Sequence, residues 1–215
     1  MLGIYGGTFD PVHFGHLRTA LEVKETLQLA ELRFLPCHLP PHRDSPGASP
    51  AHRLQMLELA LQNAEPGFAV DTREFQREGP SYMVDTLSSL REELADIPLF
   101  LILGLDAFSA LPSWHKWREL PNLSHIAVMR RPDSREPEWP LELSEFVRER
   151  RVKTVGDIQG KPSGGIVFLN VTQLSISATG IRNLIVDGKN PRYLLPDPVL
   201  AMIQSEGLYR QGKKP

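Results

Sequence analysis

The sequence has one cysteine, Cys37, in 215 residues. An internal disulfide is thereby excluded, and the scarcity of thiols fits a reducing compartment such as the cytoplasm. No apolar run approaches the roughly 20 residues needed to span a bilayer. The first apolar run, Leu2 to Tyr5, is short and has no basic lead, so no signal peptide is expected. The Asn-x-Ser/Thr matches at Asn122 and Asn170 then read as chance. Net charge is only -2, which gives no global field to draw in nucleic acid or an anionic membrane. Neither is expected as a partner, and a small anionic substrate has to be met by local positive groups. Internal repeats and low-complexity segments are missing too.

What remains is an ordinary globular composition, 41% hydrophobic and 23% charged. The length suits one domain with a sizeable core, and we read residues 1–215 as a single domain.

The most informative stretch is Gly6-Gly7-Thr8-Phe9-Asp10-Pro11-Val12-His13-Phe14-Gly15-His16. An apolar strand candidate precedes it, and Leu17, Ala20, Leu21 and Leu27 follow at helical spacing, so a helix is expected to open near His16. Paired glycines allow a tight turn and let a ligand lie against main-chain N–H groups. A helix start adds unpaired N–H groups and partial positive charge, which suits phosphate. His13 and His16 can donate to phosphate oxygens and carry a proton near neutral pH. Together these features point to a nucleoside triphosphate.

Further strands are expected at Leu32–Pro36, Phe68–Asp71, Pro98–Leu103, Ile126–Met129 and Ile166–Leu169, with helices between them. That alternation implies a doubly wound parallel sheet. The two prolines at 40 and 41 forbid a helix, so His38 and His42 are not a helical metal pair. A loop carrying His42 and Arg43 can be a lid or phosphate clamp, or a solvated connection. Arg53 falls in the first turn of a helix from Ala51 to Asn63, where the dipole disfavours a cation, a hint that it points at an anion. Ser81 is a fair N-cap for the helix that follows. Gly104 and Asp106 lie beyond the carboxyl end of the Pro98–Leu103 strand, where Asp106 can meet a ribose hydroxyl or a metal-bound water. Trp114 and Trp117, three apart, would share one helix face, and burial in the core is the default for such a pair. Arg130 and Arg131 end a strand and either contact a ligand or are solvated. Ser177, Thr179 and Arg182 open another helix, either as a phosphate grip or as an ordinary N-cap with a surface arginine.

Six blocks in order, from Gly6 to Tyr209, resemble those of bacterial nicotinate-mononucleotide adenylyltransferases, in the nucleotidyltransferase superfamily. The first is GGTFDPVHFGH, with its (T/H)xGH signature; others are the PPHR loop, SYMVDTL at Ser81–Leu87 and LGLDAFSALPSWHKW ending at Trp117. SISATGIR at Ser175–Arg182 resembles ISSTxIR with Ala178 in place of a serine, which removes one hydroxyl and leaves the backbone donors. The resemblance implies an α/β fold, a Rossmann-like parallel sheet with a small C-terminal helical part over about 175–215. It implies adenylyl transfer from ATP to nicotinate mononucleotide, with Mg²⁺ bound on the ATP.

On that reading His13, His16 and Arg182 are catalytic, and Gly6, Gly7, Thr8, Phe9, Gly104, Asp106, Ser177 and Thr179 hold ATP. His42, Arg43, Thr86 and Trp117 hold the mononucleotide, the last two at the pyridine ring. No protein-held metal is implied, and a monomer or small homo-oligomer is equally compatible. The rivals are another acceptor, nicotinamide mononucleotide or phosphopantetheine, a cytidylyltransferase, and a nucleotide sensor without turnover. A sensor would be expected to lack one of the histidines or Arg182, and this chain has all three.

Overall fold

The computed structural model describes residues 1–39, 47–132, 137–158 and 160–210. Six parallel strands form one sheet: β1 (Leu2–Gly7), β2 (Glu31–Pro36), β3 (Phe68–Val70), β4 (Leu99–Gly104), β5 (His125–Arg130) and β6 (Ile166–Asn170). Their order across the sheet is β3-β2-β1-β4-β5-β6. The helices are α1 (Phe14–Thr26), α2 (Pro50–Leu61), α3 (Met83–Leu94), α4 (Leu105–Ser109), α5 (Leu120–Leu123), α6 (Leu141–Arg150), α7 (Ala178–Val186) and α8 (Asp197–Ser205). This is the doubly wound parallel sheet expected from the alternation of strand and helix patterns, in the Rossmann-like α/β form that the family resemblance implies.

The strands in the middle of the sheet are buried on both faces, which is why β4 reads Leu-Phe-Leu-Ile-Leu without alternation. One face packs against α1, α2, α7 and α8, through Val23, Met56, Ile181 and Ile203 among others. The other packs against α3, α5 and α6, through Leu87, Leu90, Leu120 and Phe146. The late helices α7 and α8 thus share a core with the first strand. The order reverses between β1 and β4, so a crevice opens at their carboxyl ends, the usual ligand position in such sheets. No helix among the described residues is long and apolar enough to cross a membrane.

Three local expectations change. Gly6 and Gly7 do not form the turn; they pair with Leu35 and Pro36 as the last residues of β1. The turn follows them, and its left-handed residue is Phe9, at φ 49°. Ser81 does not cap α3, whose cap position is Tyr82; its hydroxyl instead accepts from the N–H groups of His38 and Leu39, each at 3.2 Å. Trp114 and Trp117 do not share a helix: Trp114 follows one short 3-10 turn, Trp117 opens another, and Lys116 between them is left-handed.

Candidate active site

At the carboxyl ends of β1, β4 and β5 lies a cleft of about 1110 Å³. Its walls include Gly6, Gly7, Thr8 and Phe9 from the β1 end, and His13 and His16 from the start of α1. Gly104 and Asp106 come from the end of β4 and the start of α4, Ser177, Thr179 and Arg182 from the start of α7. Residues more than 160 positions apart in sequence therefore face one space.

Local packing explains the shape. A Cβ at Gly7 would lie 2.9 Å from the Phe9 ring, and one at Gly15 would lie 2.9 Å from His13 Nδ1. The glycines are therefore close-approach positions, letting Phe9 fold under the strand end and His13 lie over the helix start. Phe9 in turn meets His16 edge-on, with centroids 5.2 Å apart.

The two imidazoles stack at 3.7 Å with 20° between their planes. His13 caps α1, and its main-chain N–H donates to His16 Nδ1 at 3.3 Å. A neutral ring that accepts at Nδ1 carries its proton on Nε2, so that nitrogen is the donor left for a ligand. Burial lowers the His13 pKa to about 4; burial, then the charge of His13, lowers that of His16 to about 3. With these values both rings are neutral at pH 7, each carrying one proton and no charge. As neutral rings they are able to donate hydrogen bonds, and an anion placed against them would raise both values.

Ser177 caps α7, its Oγ accepting from Gly180 N–H at 3.1 Å. Arg182 donates to Thr179 Oγ1 at 3.2 Å and to the Asp10 carbonyl at 2.6 Å. The serine is thus an N-cap, as one of the two alternatives holds, while the arginine is folded back toward the first motif instead of standing free at the surface. Arg130 and Arg131 reach the cleft wall as well, with Nε donating to Asn170 Oδ1 and Gln173 Oε1 respectively. Asp106 stands exposed in the first turn of α4.

The residues assigned to the mononucleotide behave differently. Thr86 is fully buried, donating to Glu74 Oε1 at 2.9 Å and accepting from Arg77 at 2.7 Å. Trp117 is 6% exposed, packed on Phe146 with centroids 4.7 Å apart and covered by the Arg118 guanidinium. Neither belongs to the cleft wall. His42 and Arg43 lie outside the described residues.

Sequence reasoning missed Asp10. Its buried carboxylate accepts from Gly47 N–H at 2.7 Å, Ala48 N–H at 3.1 Å and the Tyr209 hydroxyl at 2.7 Å. Burial and the neighbouring carboxylate push the Tyr209 hydroxyl far above its ordinary pKa, so it stays a donor. The only advance signal was an acidic residue inside an otherwise neutral motif. Among the described residues, no group of three or more His, Cys, Asp and Glu gathers to hold a metal ion.

Comparison with known proteins agrees with this geometry. Residues 4–184 match the model of the cytidylyltransferase-like family. A probable nicotinate-nucleotide adenylyltransferase of Methylococcus capsulatus is 59% identical over 209 residues, covering 97% of this chain and 99% of its own. A protein of the same name from Pseudomonas fluorescens is 51% identical, covering 97% of both chains. This chain belongs to the cytidylyltransferase-like family, among the nicotinate-nucleotide adenylyltransferases. Family membership also has a structural counterpart. The Plasmodium falciparum nicotinic acid mononucleotide adenylyltransferase complexed with NaAD superposes with a TM-score of 0.72, covering 97% of this chain and 96% of that one. At 15% identity that likeness speaks for the fold alone.

Proposed function

We propose that the protein transfers the adenylyl group of ATP to nicotinate mononucleotide, giving nicotinate adenine dinucleotide and pyrophosphate in NAD biosynthesis. The observation that carries this reading is the convergence of His13, His16 and Arg182 on one cleft, in a chain 59% identical to a relative named for that activity.

The mononucleotide phosphate is already an oxyanion, so no serine, cysteine or lysine nucleophile is needed. One of its oxygens attacks the α-phosphorus of ATP in line; the new O–P bond forms as the bond to the β-phosphate oxygen breaks. What the protein contributes is alignment and neutralisation of the charge that spreads onto the leaving pyrophosphate. On this reading His16 Nε2–H and His13 donate to phosphate oxygens as neutral groups, and Arg182 supplies the fixed positive charge. The N–H groups around Gly7, Thr8 and Phe9, and those at the start of α7, complete the cradle. Mg²⁺ enters as part of the ATP substrate, carried on its phosphates, and contributes charge neutralisation there. Asp106 takes a ribose, Thr179 and Ser177 face the triphosphate, and His42 and Arg43 take the mononucleotide phosphate. Thr86 and Trp117 are assigned to the pyridine ring, which requires the packing around Trp117 to open.

A single displacement inverts the α-phosphorus, whereas a covalent enzyme intermediate would retain its configuration. The test is turnover of one diastereomer of α-thio-ATP with nicotinate mononucleotide. Inversion in the dinucleotide product is expected. Retention would contradict the mechanism, and no dinucleotide product would contradict the function.

A further inference from the structure

Arg53, on the first turn of α2, is the largest fully buried side chain among the described residues, at 0% exposure. It does not reach the anion that its position in the helix suggested. Nη1 donates to the Thr8 carbonyl at 2.8 Å and the Cys37 carbonyl at 2.7 Å, and Nη2 donates to the His38 carbonyl at 3.1 Å. One guanidinium thus joins the loop after β1 to the loop after β2.

The three peptide groups it holds are not equivalent. The Cys37–His38 and His38–Leu39 peptides offer their carbonyls to Arg53 and their N–H groups to the Ser81 hydroxyl on the opposite side. Both are satisfied at each end. The Thr8–Phe9 peptide also gives its carbonyl to Arg53, but its N–H meets no acceptor among the described residues. In a planar trans peptide the N–H points opposite the carbonyl. Thr8 and Phe9 line the cleft, and Phe9 is held in the left-handed region at φ 49°, which a bulky residue adopts only under local constraint.

We infer that Arg53 is a positioning residue: by fixing the Thr8 carbonyl it aims the Phe9 N–H into the cleft, as a donor for the α-phosphate oxygens during transfer. This rests on the cleft being the ATP site of the proposed reaction. Arginine suits the task because its planar fork reaches carbonyls on two loops at once, which the single ammonium of lysine does not.

The test compares the wild type with Arg53→Lys and Arg53→Met, scored only on the fraction folded by near-UV circular dichroism. For both variants kcat is expected to fall about a hundredfold, the scale of a displaced transition-state donor. The KM for each substrate, and affinity for a non-hydrolysable ATP analogue, are expected to stay within about threefold, since the Phe9 N–H contact is weak in the bound ground state and strengthens as charge builds in the transition state. A purely structural role would lower the folded fraction and leave kcat per folded molecule unchanged. Folded variants with near wild-type kcat overturn the inference, as does a kcat loss matched by an equal loss of analogue affinity.

A second readout needs no variant. With ¹⁵N-phenylalanine labelling, the Phe9 amide signal of the wild type is expected to move when the analogue binds. An unmoved Phe9 signal at saturating analogue overturns the inference, even if both variants fail to fold. Because this readout needs no acceptor, absence of turnover in the wild type would sink the proposed reaction and leave the Arg53 assignment decided separately.

Discussion

The half of the site assigned to phosphate is made from two contiguous stretches, residues 6–16 and 175–182, plus the end of β4. The half assigned to the mononucleotide is scattered over the segment after β2, the start of α3 and the turn around Trp117. In the first half the side chains already face the cleft, held by their own neighbours: His16 by the His13 N–H, Arg182 by Asp10 and Thr179. In the second, Thr86 and Trp117 are occupied with other partners. The difference is one of preorganisation. Phosphate binding draws on strand ends and helix starts, which the fold sets in place as it forms. The assignment of Thr86 and Trp117 to an acceptor ring instead requires side chains that are already packed to give up partners.

The largest effect should come from the preorganised half. His16→Ala is expected to lower kcat by about a hundred- to a thousandfold, as for loss of one transition-state donor, with little change in mononucleotide KM. Equal loss in both parameters would mean that the ring binds ground state and transition state alike. Arg182→Lys keeps the charge and loses the fork, so a decrease in kcat/KM of about tenfold or more is expected. Trp117→Ala sharpens the contrast: it should cost about 3–5 kcal/mol of stability in urea titrations, because a buried ring leaves a cavity. If the ring also meets the pyridine, mononucleotide KM rises in the same variant; an unchanged KM would assign it to the core alone.

Tyr209→Phe removes one of the three hydrogen-bond donors that the Asp10 carboxylate has among the described residues, and about 1.5–3 kcal/mol of unfolding free energy should go with it. The pH dependence is the mildest test. Both histidines have pKa values below the unfolded 6.5, so the unfolded chain binds more protons between that value and about 4. Stability should be fully present above pH 6.5 and decline as pH falls toward 4. His16→Gln should flatten that decline.

The sheet was legible because its strands are short apolar runs between helical patterns, and each of the six appears within a residue or two of its expected span. The cleft proposed for phosphate was legible for a related reason: binding phosphate this way calls for glycines, histidines and a capped helix start at fixed short spacings. The hydrogen-bond economy of individual side chains was not legible. Ser81 looked like a cap and serves two N–H groups 42 or more positions away. Arg53 looked like an anion ligand and serves three carbonyls. In both cases the helix pattern fixes where the residue stands, while loops distant in sequence decide what its side chain touches.

The measurement that tests the account most directly is pyrophosphate release from Mg²⁺ and ATP with three acceptors in parallel: nicotinate mononucleotide, nicotinamide mononucleotide and phosphopantetheine. The account predicts rapid release with nicotinate mononucleotide and far slower release with the other two. Release with phosphopantetheine alone, or with none of the three in a protein that still binds ATP, would contradict it.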